Sequence, residues 1–366
     1  KLVEILQHVK ELKGPILLHL NTEKGKGYEP AERDASKLHG VTPFDKGTGV
    51  SPKTSAPAAY TKIFGNALVE ICQKNDKVVG ITAAMPDGTG LDILQKAMPE
   101  RFFDVGIAEQ HAVTFAAGMA TEGYIPVVAI YSTFLQRAFD QIIHDVSLQD
   151  LHVVFVMDRA GLVGADGPTH HGALDLSYLR CIPNMIIMAP KDENELRDML
   201  YTAVQQKNCP VAIRYPRGNS IGLPLKPEFE NLTIGKSETV RSGKDVAILA
   251  IGSAVTHSLQ AAELLEKEGI SAEVVNMRFV KPLDLSMIEN TAKRFSKIVT
   301  VEENSIIGGF GSAVLEAISS SGITNVNVKT HGLIDGYVTQ GTPAELLKLT
   351  QLDAEGIAQV VKTFYH

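Results

Sequence analysis

The feature that most constrains the fold is a repeated alternation of short apolar runs with amphipathic stretches. The runs at 125–131, 153–157 and 246–251 are apolar and rich in β-branched residues, and polar positions do not alternate within them. Strands of this kind are buried on both faces, as in parallel sheets whose faces are covered by helices. The sequence therefore predicts an α/β protein with successive parallel sheets.

Composition narrows the class of protein further. The 366 residues include 42 acidic and 35 basic side chains, a formal net charge of −7. A general nucleic-acid binder would show a basic excess, and no run approaches the ~18 apolar residues of a membrane span. Three cysteines, none in a Cys-x-x-Cys pair, indicate reduced thiols. We therefore expect a globular cytoplasmic protein whose partners are neither nucleic acid nor membrane.

Three blocks and a linker are distinguishable along the chain. Residues 1–54 hold too few apolar segments to bury a core, so we expect the end of a domain whose beginning is absent. Residues 55–218 and 232–366 each show the strand–helix alternation of an α/β unit. Residues 219–231 contain two prolines and no periodicity, which predicts a linker.

The individual elements follow from the same pattern. The predicted strands are 15–20, 78–82, 102–106, 125–131, 152–157, 185–188, 211–215, 245–251, 272–276, 297–302 and 326–330. The predicted helices are 2–12, 58–73, 108–121, 135–149, 194–205, 256–268, 283–294 and 311–319. Ligands of such sheets bind outside the carboxyl ends of the strands, so we expect the chemistry in the segments that follow strands.

Glu109 begins one predicted helix, directly after the strand 102–106. A carboxylate in the first helical turn is favoured by the helix dipole. The helix that it opens is apolar nearly all round, which predicts burial. From this pattern alone, Glu109 is either an ordinary N-terminal helix charge or a carboxylate at the edge of a dry site.

A second segment, at 131–137, again joins a strand end to a helix. Tyr131, Phe134 and Arg137 are spaced three residues apart, so a helix that begins early places them near one face. An aromatic ring beside a guanidinium suits a planar ring next to an anion. The alternative is that Phe134 packs in the core and Arg137 pairs with a nearby carboxylate.

A Gly-rich loop follows the next strand, at 158–172, and contains two Asp, one Arg and two adjacent His residues. Long Gly-rich loops at strand ends are usually functional. Their acidic and imidazole side chains can transfer protons, and the arginine can bind an anion. The sequence therefore favours a functional loop over a solvated connection.

Two arginines close the second block. Arg214 and Arg217 lie at the end of its last strand, where two guanidinium groups can clamp a phosphate; the alternative is a surface position at a domain boundary. The Gly-rich stretch at 24–27 lacks the spacing of a P-loop. The one at 308–311 lacks the dinucleotide fingerprint and predicts a tight strand-to-helix turn.

Together these segments resemble the thiamine-diphosphate enzymes of the transketolase group, and most closely the branch that condenses pyruvate with glyceraldehyde 3-phosphate. The similar segments are KGKGYEPAE at 24–32, VGIAEQH at 105–111, YSTFLQR at 131–137, DGPTHHG at 166–172 and RYPRG at 214–218. The resemblance covers essentially the whole chain. It implies the tail of a diphosphate-binding domain in the first block, a pyrimidine-binding domain in the second and a transketolase-type C-terminal domain in the third.

The resemblance also implies an activity. Pyruvate is decarboxylated and joined to glyceraldehyde 3-phosphate to give 1-deoxy-D-xylulose 5-phosphate, with thiamine diphosphate and Mg²⁺ as cofactors and a homodimer as the assembly. The cofactor stabilises a carbanion, while the protein supplies position and electrostatics. By this resemblance Glu109 pairs with the aminopyrimidine ring of the cofactor and Phe134 stacks on that ring. Ile107, Lys24 and His39 also match positions near the cofactor.

The same resemblance assigns residues to the reacting groups. The catalytic residues that it implies are Glu109, His39 and His170. The substrate-binding residues that it implies are Tyr131, Arg137, Arg159, Asp166, His170 and Arg217. The arginines suit the phosphate of the aldehyde, and the histidine and aspartate suit proton transfer on pyruvate or on the adduct. His171 matches the motif without an assigned role.

One departure concerns the metal. The family carries an upstream Gly-Asp-Gly segment, followed by an Asn, which holds Mg²⁺ and the diphosphate of the cofactor. No Gly-Asp-Gly occurs in this sequence. We therefore assign no metal ligand within the chain and expect the metal ligands in a missing N-terminal segment.

Two other interpretations stay open. Transketolase itself, or the β subunit of a 2-oxoacid dehydrogenase, shares the pyrimidine-binding and C-terminal domains, although the β subunit would not carry the stretch 24–39. A non-catalytic paralogue could act through its third block. That interpretation is disfavoured, because such a protein would not need Glu109, Arg137 and His170.

Overall fold

The computed structural model describes residues 1–33, 38, 43–51 and 56–366. Its internal contacts define two compact units, Lys1–Ala56 and Pro57–His366. The described part of the first unit contains the helices Leu2–Val9 (α1) and Glu29–Arg33 (α2) and no strand. The strand predicted at 15–20 is therefore wrong. A strand needs a neighbour to satisfy its backbone hydrogen bonds, and this segment has none there; Leu17 is 95% exposed.

The second unit carries the predicted alternation. Its strands are Val78–Thr82 (β1), Phe102–Asp104 (β2), Ile125–Tyr131 (β3), Val154–Ala160 (β4), Ile186–Met188 (β5), Val211–Pro216 (β6), Glu238–Arg241 (β7), Val246–Ala250 (β8), Ala272–Asn276 (β9), Phe279–Lys281 (β10), Lys297–Ser305 (β11) and Asn327–Leu333 (β12). Its α-helices are Tyr60–Lys74 (α3), Pro86–Thr89 (α4), Leu91–Ala97 (α5), Glu109–Thr121 (α6), Ser132–Leu135 (α7), Phe139–Gln141 (α8), Asp175–Arg180 (α9), Glu193–Val204 (α10), Ala254–Lys267 (α11), Leu285–Arg294 (α12), Phe310–Ser320 (α13), Pro343–Leu349 (α14) and Ala354–Tyr365 (α15). Every strand predicted from residue 78 onward is present. The short β7 and β10 and the helices α4, α5, α9, α14 and α15 were not predicted.

The strands form two sheets. One sheet has seven strands in the order β10–β5–β6–β4–β3–β1–β2, and the other has five in the order β12–β11–β8–β9–β7. Neighbouring strands are parallel except at the antiparallel edge pairs β10–β5 and β7–β9. Strand β1 pairs with β2 on one side and β3 on the other, so the direction of winding reverses beside it. Ligands of open α/β sheets bind at such a switch point.

The two sheets share a hydrophobic core. It includes Ile130 and Phe155 of the seven-stranded sheet and Leu249 and Ile298 of the five-stranded sheet, all fully buried. Strand β10 belongs in sequence to the third block, yet it pairs with β5 of the second. The shared core and this exchanged strand explain why Pro57–His366 is one compact unit.

The helix predicted at 135–149 is interrupted. A 3₁₀ turn at Gln136–Ala138 follows α7, and a π-helical turn at Ile142–Val146 follows α8. Apolar spacing predicts a helical face but not an extra residue inserted into a turn, so a sequence pattern does not detect the π turn. π-Helical turns are frequent near functional sites, and this one lies a few residues beyond Phe134 and Arg137.

Candidate active site

The predicted site residues of the second unit converge on one edge of the seven-stranded sheet. Glu109 begins α6 after β2, Tyr131 ends β3, Arg159 lies near the end of β4, and Arg217 follows β6. These strands are parallel, so their carboxyl ends lie at the same edge. Strand register places Tyr131 directly beside Asp158 of β4. The fold therefore brings together residues that are up to about a hundred positions apart in the chain.

The Glu109 carboxylate is buried, with 2% of the residue exposed. Nη1 of Arg137 donates a hydrogen bond to its Oε1 at 2.9 Å, while half of the Arg137 side chain is exposed. Gly106 has a φ of +74° in the turn before α6, a conformation that glycine adopts without strain. Glu109 is thus a buried carboxylate at the boundary of the sheet, paired with a cation that reaches solvent.

Helix α6 is buried on one face rather than all round. Its fully or nearly fully buried residues, besides Glu109, are Ala112, Val113, Ala116 and Ala117. Phe115 and Met119 are only partly buried, and His111 is exposed. The prediction of burial nearly all round is therefore wrong, because half of this short helix lies outside the core that the two sheets share.

An aromatic group lies beside the carboxylate. The rings of Tyr131 and Phe134 stack with centroids 5.7 Å apart, and the ring of His170 meets Phe134 edge-on at 5.3 Å. The guanidinium of Arg137 lies 4.9 Å from the Phe134 centroid. The spacing of three residues thus places Tyr131, Phe134 and Arg137 side by side, as the sequence predicts.

Arg159 is held by a bulge in β4. Its φ is +62°, a conformation that costs a non-glycine residue about 1–3 kcal/mol. The pairing of β4 with β6 shifts register between Met157 and Ala160, so Arg159 lies within the irregularity. Bulges beside active sites re-aim side chains. Here the guanidinium lies 3.7 Å from the centroid of the Tyr131 ring.

Asp158 lies beneath this guanidinium and is fully buried. Its Oδ1 accepts a hydrogen bond from Nη1 of Arg159 at 2.9 Å, and its Oδ2 accepts one from Oγ1 of Thr61 at 2.8 Å. Burial raises the pKa of the Asp158 carboxyl to about 6, although Arg159 and Thr61 act in the opposite direction. Burial also raises the pKa of the neighbouring Tyr131 hydroxyl. The sheet edge is therefore poorly solvated beneath the predicted substrate residues.

The Gly-rich loop has a closed base and an exposed tip. β4 continues to Ala160, so the loop begins three residues later than predicted, and Gly161 and Gly172 exchange two backbone hydrogen bonds of 2.8 Å. Leu162 N–H donates to Oε1 of the buried Glu303 at 2.6 Å. A Cβ at Gly161 would overlap that Glu303 carboxylate, which explains the glycine. Strand β11 of the other sheet thereby fixes the start of the loop.

His171 fixes the far end of the same loop. Its Nδ1 accepts a hydrogen bond from the Val163 N–H at 2.9 Å, and its Nε2 lies 3.1 Å from the Thr339 carbonyl oxygen. A carbonyl only accepts, so Nε2 carries the proton. His171 is buried and ties the loop to the segment after β12. This anchoring gives His171 a structural role that the sequence did not assign.

The exposed tip carries the remaining loop residues. Arg217 donates a hydrogen bond to the Asp166 carboxylate, and both side chains are about two-fifths exposed. His170 is half-buried, and its Nδ1 lies 2.9 Å from Oγ1 of Thr169. The ion pair Asp166–Arg217 thus connects the tip of the loop to the segment after β6. His170 lies against the Phe134 ring.

Arg214 is not a phosphate clamp. Its side chain is 4% exposed, its Nε donates to Oδ2 of Asp175 at 3.0 Å, and its Nη2 donates to the carbonyl oxygens of Gly172 and Glu303 at 3.1 Å each. Ser132 Oγ donates to the same Asp175 oxygen at 2.9 Å. Alternation along β6 turns Arg214 inward, so it holds the loop base, α7 and β11 together instead of meeting a ligand.

The remaining predicted cofactor residues lie in different surroundings. Ile107, two residues before Glu109, is 84% exposed. Lys24 is exposed within the unit Lys1–Ala56. His39 lies outside the described residues.

Two residues at the site, Gly88 and Glu303, were missed by the sequence interpretation, and a third, Asp158, was counted only as one of the two acidic residues of the loop. Gly88 follows β1 and accepts a hydrogen bond from Arg159, Asp158 lies under that arginine, and Glu303 holds the loop. Glu303 directly follows a predicted apolar strand, where a charged residue was a usable signal. Gly88 gave none, because its contacts are with residues more than forty positions away.

Within residues 1–33, 38, 43–51 and 56–366, no group of three or more His, Cys, Asp or Glu side chains is placed to hold a metal ion. In the same ranges no helix is both long and apolar enough to cross a lipid bilayer.

Comparisons with known proteins show which family the chain resembles in sequence and fold. The family model described as "Transketolase, pyrimidine binding domain" matches residues 56–221, and "Transketolase, C-terminal domain" matches residues 235–357. A solved structure described as a split gene transketolase in an inactive β4 tetramer is 34% identical with a TM-score of 0.74. That match covers 84% of this chain and 98% of the other. The chain belongs to the transketolase family.

Two transketolase structures from Pichia stipitis share the fold of this transketolase-family chain. They are 22% and 21% identical, each with a TM-score of 0.68, and cover 86% and 90% of this chain but 47% and 49% of theirs. At this identity they support the fold alone.

Curated relatives of higher identity are named 1-deoxy-D-xylulose-5-phosphate synthase. Those from Geobacter sulfurreducens, Magnetococcus marinus and Aquifex aeolicus are 55%, 55% and 53% identical over 100%, 99% and 99% of this chain. The chain spans about 57% of the length of these relatives. Enzymes of this transketolase family use thiamine diphosphate with a divalent metal ion.

Proposed function

We propose that the protein carrying this chain condenses pyruvate with D-glyceraldehyde 3-phosphate, with loss of carbon dioxide, to give 1-deoxy-D-xylulose 5-phosphate. The observation that carries the proposal is the buried Glu109 carboxylate at the switch edge of the sheet, beside Phe134 and a row of arginines. Relatives that match the whole chain bear the synthase name, which supports this activity over that of transketolase or a dehydrogenase β subunit.

The residues present fit the pyrimidine end of thiamine diphosphate. A planar, protonatable ring requires a carboxylate to hydrogen-bond a ring nitrogen and an apolar surface to pack against. Glu109 supplies the first, and the Phe134 ring together with the exposed Ile107 supplies the second. When bound, the cofactor provides the electron sink for decarboxylation. Glu109 would accept a hydrogen bond from that ring, and its own burial keeps the carboxylate out of contact with most water.

The other site residues act on the two substrates. Arg159 and Arg217 bind the anionic group of the aldehyde phosphate, since guanidinium forks match phosphate oxygens. Nδ1 of His170 is engaged by Thr169, so Nε2 is the nitrogen that exchanges a proton with substrate. Tyr131 orients the guanidinium of Arg159, and Asp166 orients that of Arg217. Arg137 also binds substrate in this proposal, once its guanidinium has left the Glu109 carboxylate.

The domain assignment is part of the proposal. Residues 1–54 would be the tail of a diphosphate-binding domain, with Lys24 and His39 near the cofactor, followed by a pyrimidine-binding domain at 55–218. Residues 219–231 would be a linker and 232–366 a transketolase-type C-terminal domain. The family matches at 56–221 and 235–357 support the last two domains. The three free cysteines are consistent with a reducing cytoplasm.

We also propose a homodimer, to which the third block contributes. Ile334 and Tyr337 after β12 are 76% and 94% exposed, and large exposed apolar side chains of this kind favour a protein interface. Light scattering coupled to size-exclusion chromatography of the complete protein tests this. A mass of one chain at micromolar concentration would refute it.

The reaction is tested by measuring carbon dioxide release from labelled pyruvate by the complete protein, with thiamine diphosphate and Mg²⁺. Release that depends on glyceraldehyde 3-phosphate, with formation of the deoxy sugar phosphate, is the expected result. Transfer of two carbons from a ketose phosphate without pyruvate would instead identify a transketolase. Absence of both reactions would overturn the proposal.

A further inference from the structure

Arg159 is held more rigidly than Arg137 and Arg217, the other two arginines predicted to bind substrate. Its side chain is 15% exposed, compared with 50% for Arg137 and 41% for Arg217. Its Nη1 donates to the Gly88 carbonyl oxygen at 2.7 Å and to Oδ1 of Asp158 at 2.9 Å. Both hydrogens of Nη1 are used by protein acceptors, so this nitrogen anchors the side chain.

The rest of the guanidinium is left for a ligand. Nε and Nη2 of Arg159 make no hydrogen bond within the described residues. One face of the group lies 3.7 Å from the centroid of the Tyr131 ring, so a ligand can meet it in its own plane, along the edge that carries those two nitrogens. Two adjacent donors in one plane match two oxygens of a phosphate or a carboxylate.

Gly88 determines where both Arg159 and Tyr131 lie. Its carbonyl accepts from Arg159, and a Cβ added to it would overlap the Tyr131 hydroxyl and lie 2.7 Å from its Cζ. No larger residue can occupy position 88 while the Tyr131 ring stays under the guanidinium. The closeness of backbone to ring, and not a positive φ, is what requires glycine here.

We propose that Gly88 is a positioning residue that seats Arg159 and Tyr131 as a preformed site for the phosphate of the aldehyde substrate. The inference rests on the proposed function in taking Arg159 as a substrate anchor. Gly88 itself touches no substrate. It acts through the carbonyl that fixes Nη1 and through the space that its missing side chain leaves to Tyr131, while Asp158, which accepts a hydrogen bond from Thr61, holds the guanidinium from the other side.

The test compares Gly88→Ala with Gly118→Ala in the complete protein. Gly118 is a helical glycine of α6 whose added Cβ would meet nothing within 4 Å, so it controls for the glycine-to-alanine change itself. The probe is glycerol 3-phosphate, an unreactive phosphate monoester, titrated calorimetrically. Gly88→Ala is expected to weaken its binding at least about tenfold, since misplacement of a contact by about 1 Å can cost up to about 100-fold. Gly118→Ala is expected to leave the Kd unchanged.

Steady-state kinetics separate the two anions that Arg159 could bind. The KM for glyceraldehyde 3-phosphate is expected to rise in Gly88→Ala by the same factor as the Kd of the probe, with the KM for pyruvate and the Kd of thiamine diphosphate unchanged. A rise confined to pyruvate would assign the site to a carboxylate and overturn the proposal. Equal behaviour of Gly88→Ala and Gly118→Ala would overturn it too.

A double-mutant cycle covers the case in which Gly88→Ala folds poorly. Tyr131→Phe removes the hydroxyl that the new methyl would overlap, so Gly88→Ala is expected to be milder in that background. An unchanged effect in both backgrounds would refute positioning through Tyr131. The probe binds without turnover, so a parent protein that lacks synthase activity yet loses phosphate binding in Gly88→Ala would refute only the proposed function.

Discussion

Arg137 donates a hydrogen bond from Nη1 to Oε1 of the buried Glu109 at 2.9 Å. The same guanidinium lies 4.9 Å from the centroid of Phe134. One planar cationic group thus makes both contacts, to a carboxylate and to an aromatic face, that the proposed function gives to the aminopyrimidine ring. A ring that took the same carboxylate oxygen and the same face of Phe134 would have to displace this guanidinium.

Replacement of Arg137 therefore tests competition with the cofactor. In Arg137→Met the carboxylate and the aromatic face are free of the guanidinium, and we expect thiamine diphosphate to bind faster and several-fold more tightly. Arg137→Lys is the matched control: it keeps the charge but not the planar fork, and we expect an intermediate effect. Calorimetric titration of the complete protein gives the Kd. Weaker binding in Arg137→Met would show that Arg137 assists the cofactor instead of competing with it.

Glu109→Gln tests the carboxylate directly. Glutamine keeps the volume but not the charge, so we expect kcat to fall by about 10²–10⁴, the usual size of a lost acid–base contribution. Binding of thiamine diphosphate should weaken much less, because the aromatic contact remains. Glu122→Gln, at the exposed end of the same helix, is the control and should leave kcat unchanged. Retained turnover in Glu109→Gln would refute the proposed role.

The sequence predicts this half of the site because its signals are local. Tyr131, Phe134 and Arg137 follow one strand within seven residues, and burial of β1 and β3 on both faces makes their apolar runs unmistakable. The boundaries of these strands agree with the prediction to the residue. In this part of the chain the local sequence pattern and the buried surroundings in the fold favour the same residue types. The sequence pattern is therefore enough to predict the strands.

The residues that the sequence did not assign depend on distant contacts. Arg214 belongs to a motif that suggests a phosphate clamp, but its partners Asp175 and Glu303 lie 39 and 89 positions away. β10 leaves its own block to pair with β5. The apolar segment at 15–20 shows the converse: local hydrophobicity without a strand to pair with does not make a strand.

The Arg214–Asp175 pair predicts a large loss of stability on substitution. Both side chains are almost fully buried, and removal of one partner of a buried pair typically costs about 3–5 kcal/mol, because the other charge is left uncompensated. Asp175→Ala should therefore lower the free energy of unfolding by about that amount in urea denaturation. Glu266→Ala, which breaks the more exposed pair with Arg241, should cost less than about 1 kcal/mol. Similar losses in both variants would refute the structural role given to Arg214.

Glu302 predicts how stability changes with pH. The carboxylate is fully buried and accepts hydrogen bonds from the N–H groups of Phe310 and Gly311, 2.7 Å each, at the start of α13. Burial outweighs these donors and raises the pKa of Glu302 from 4.5 to about 7. Between these two pH values the folded state binds more protons than the unfolded state, so stability must fall as pH rises.

The contribution of Glu302 is full below about pH 4.5 and lost as pH rises through about 7, and its upper bound is about 3 kcal/mol. Glu302→Gln cannot ionise, so its unfolding free energy should depend less on pH over this range than that of the parent. Parent and variant should differ least in unfolding free energy near pH 5, where the protonated acid of the folded parent resembles the amide, and Glu302→Gln should be the more stable of the two near pH 8. Urea denaturation at intervals from pH 4.5 to 8 measures both effects. Parallel curves for parent and variant would show that Glu302 ionises at the same pH in the folded and unfolded states.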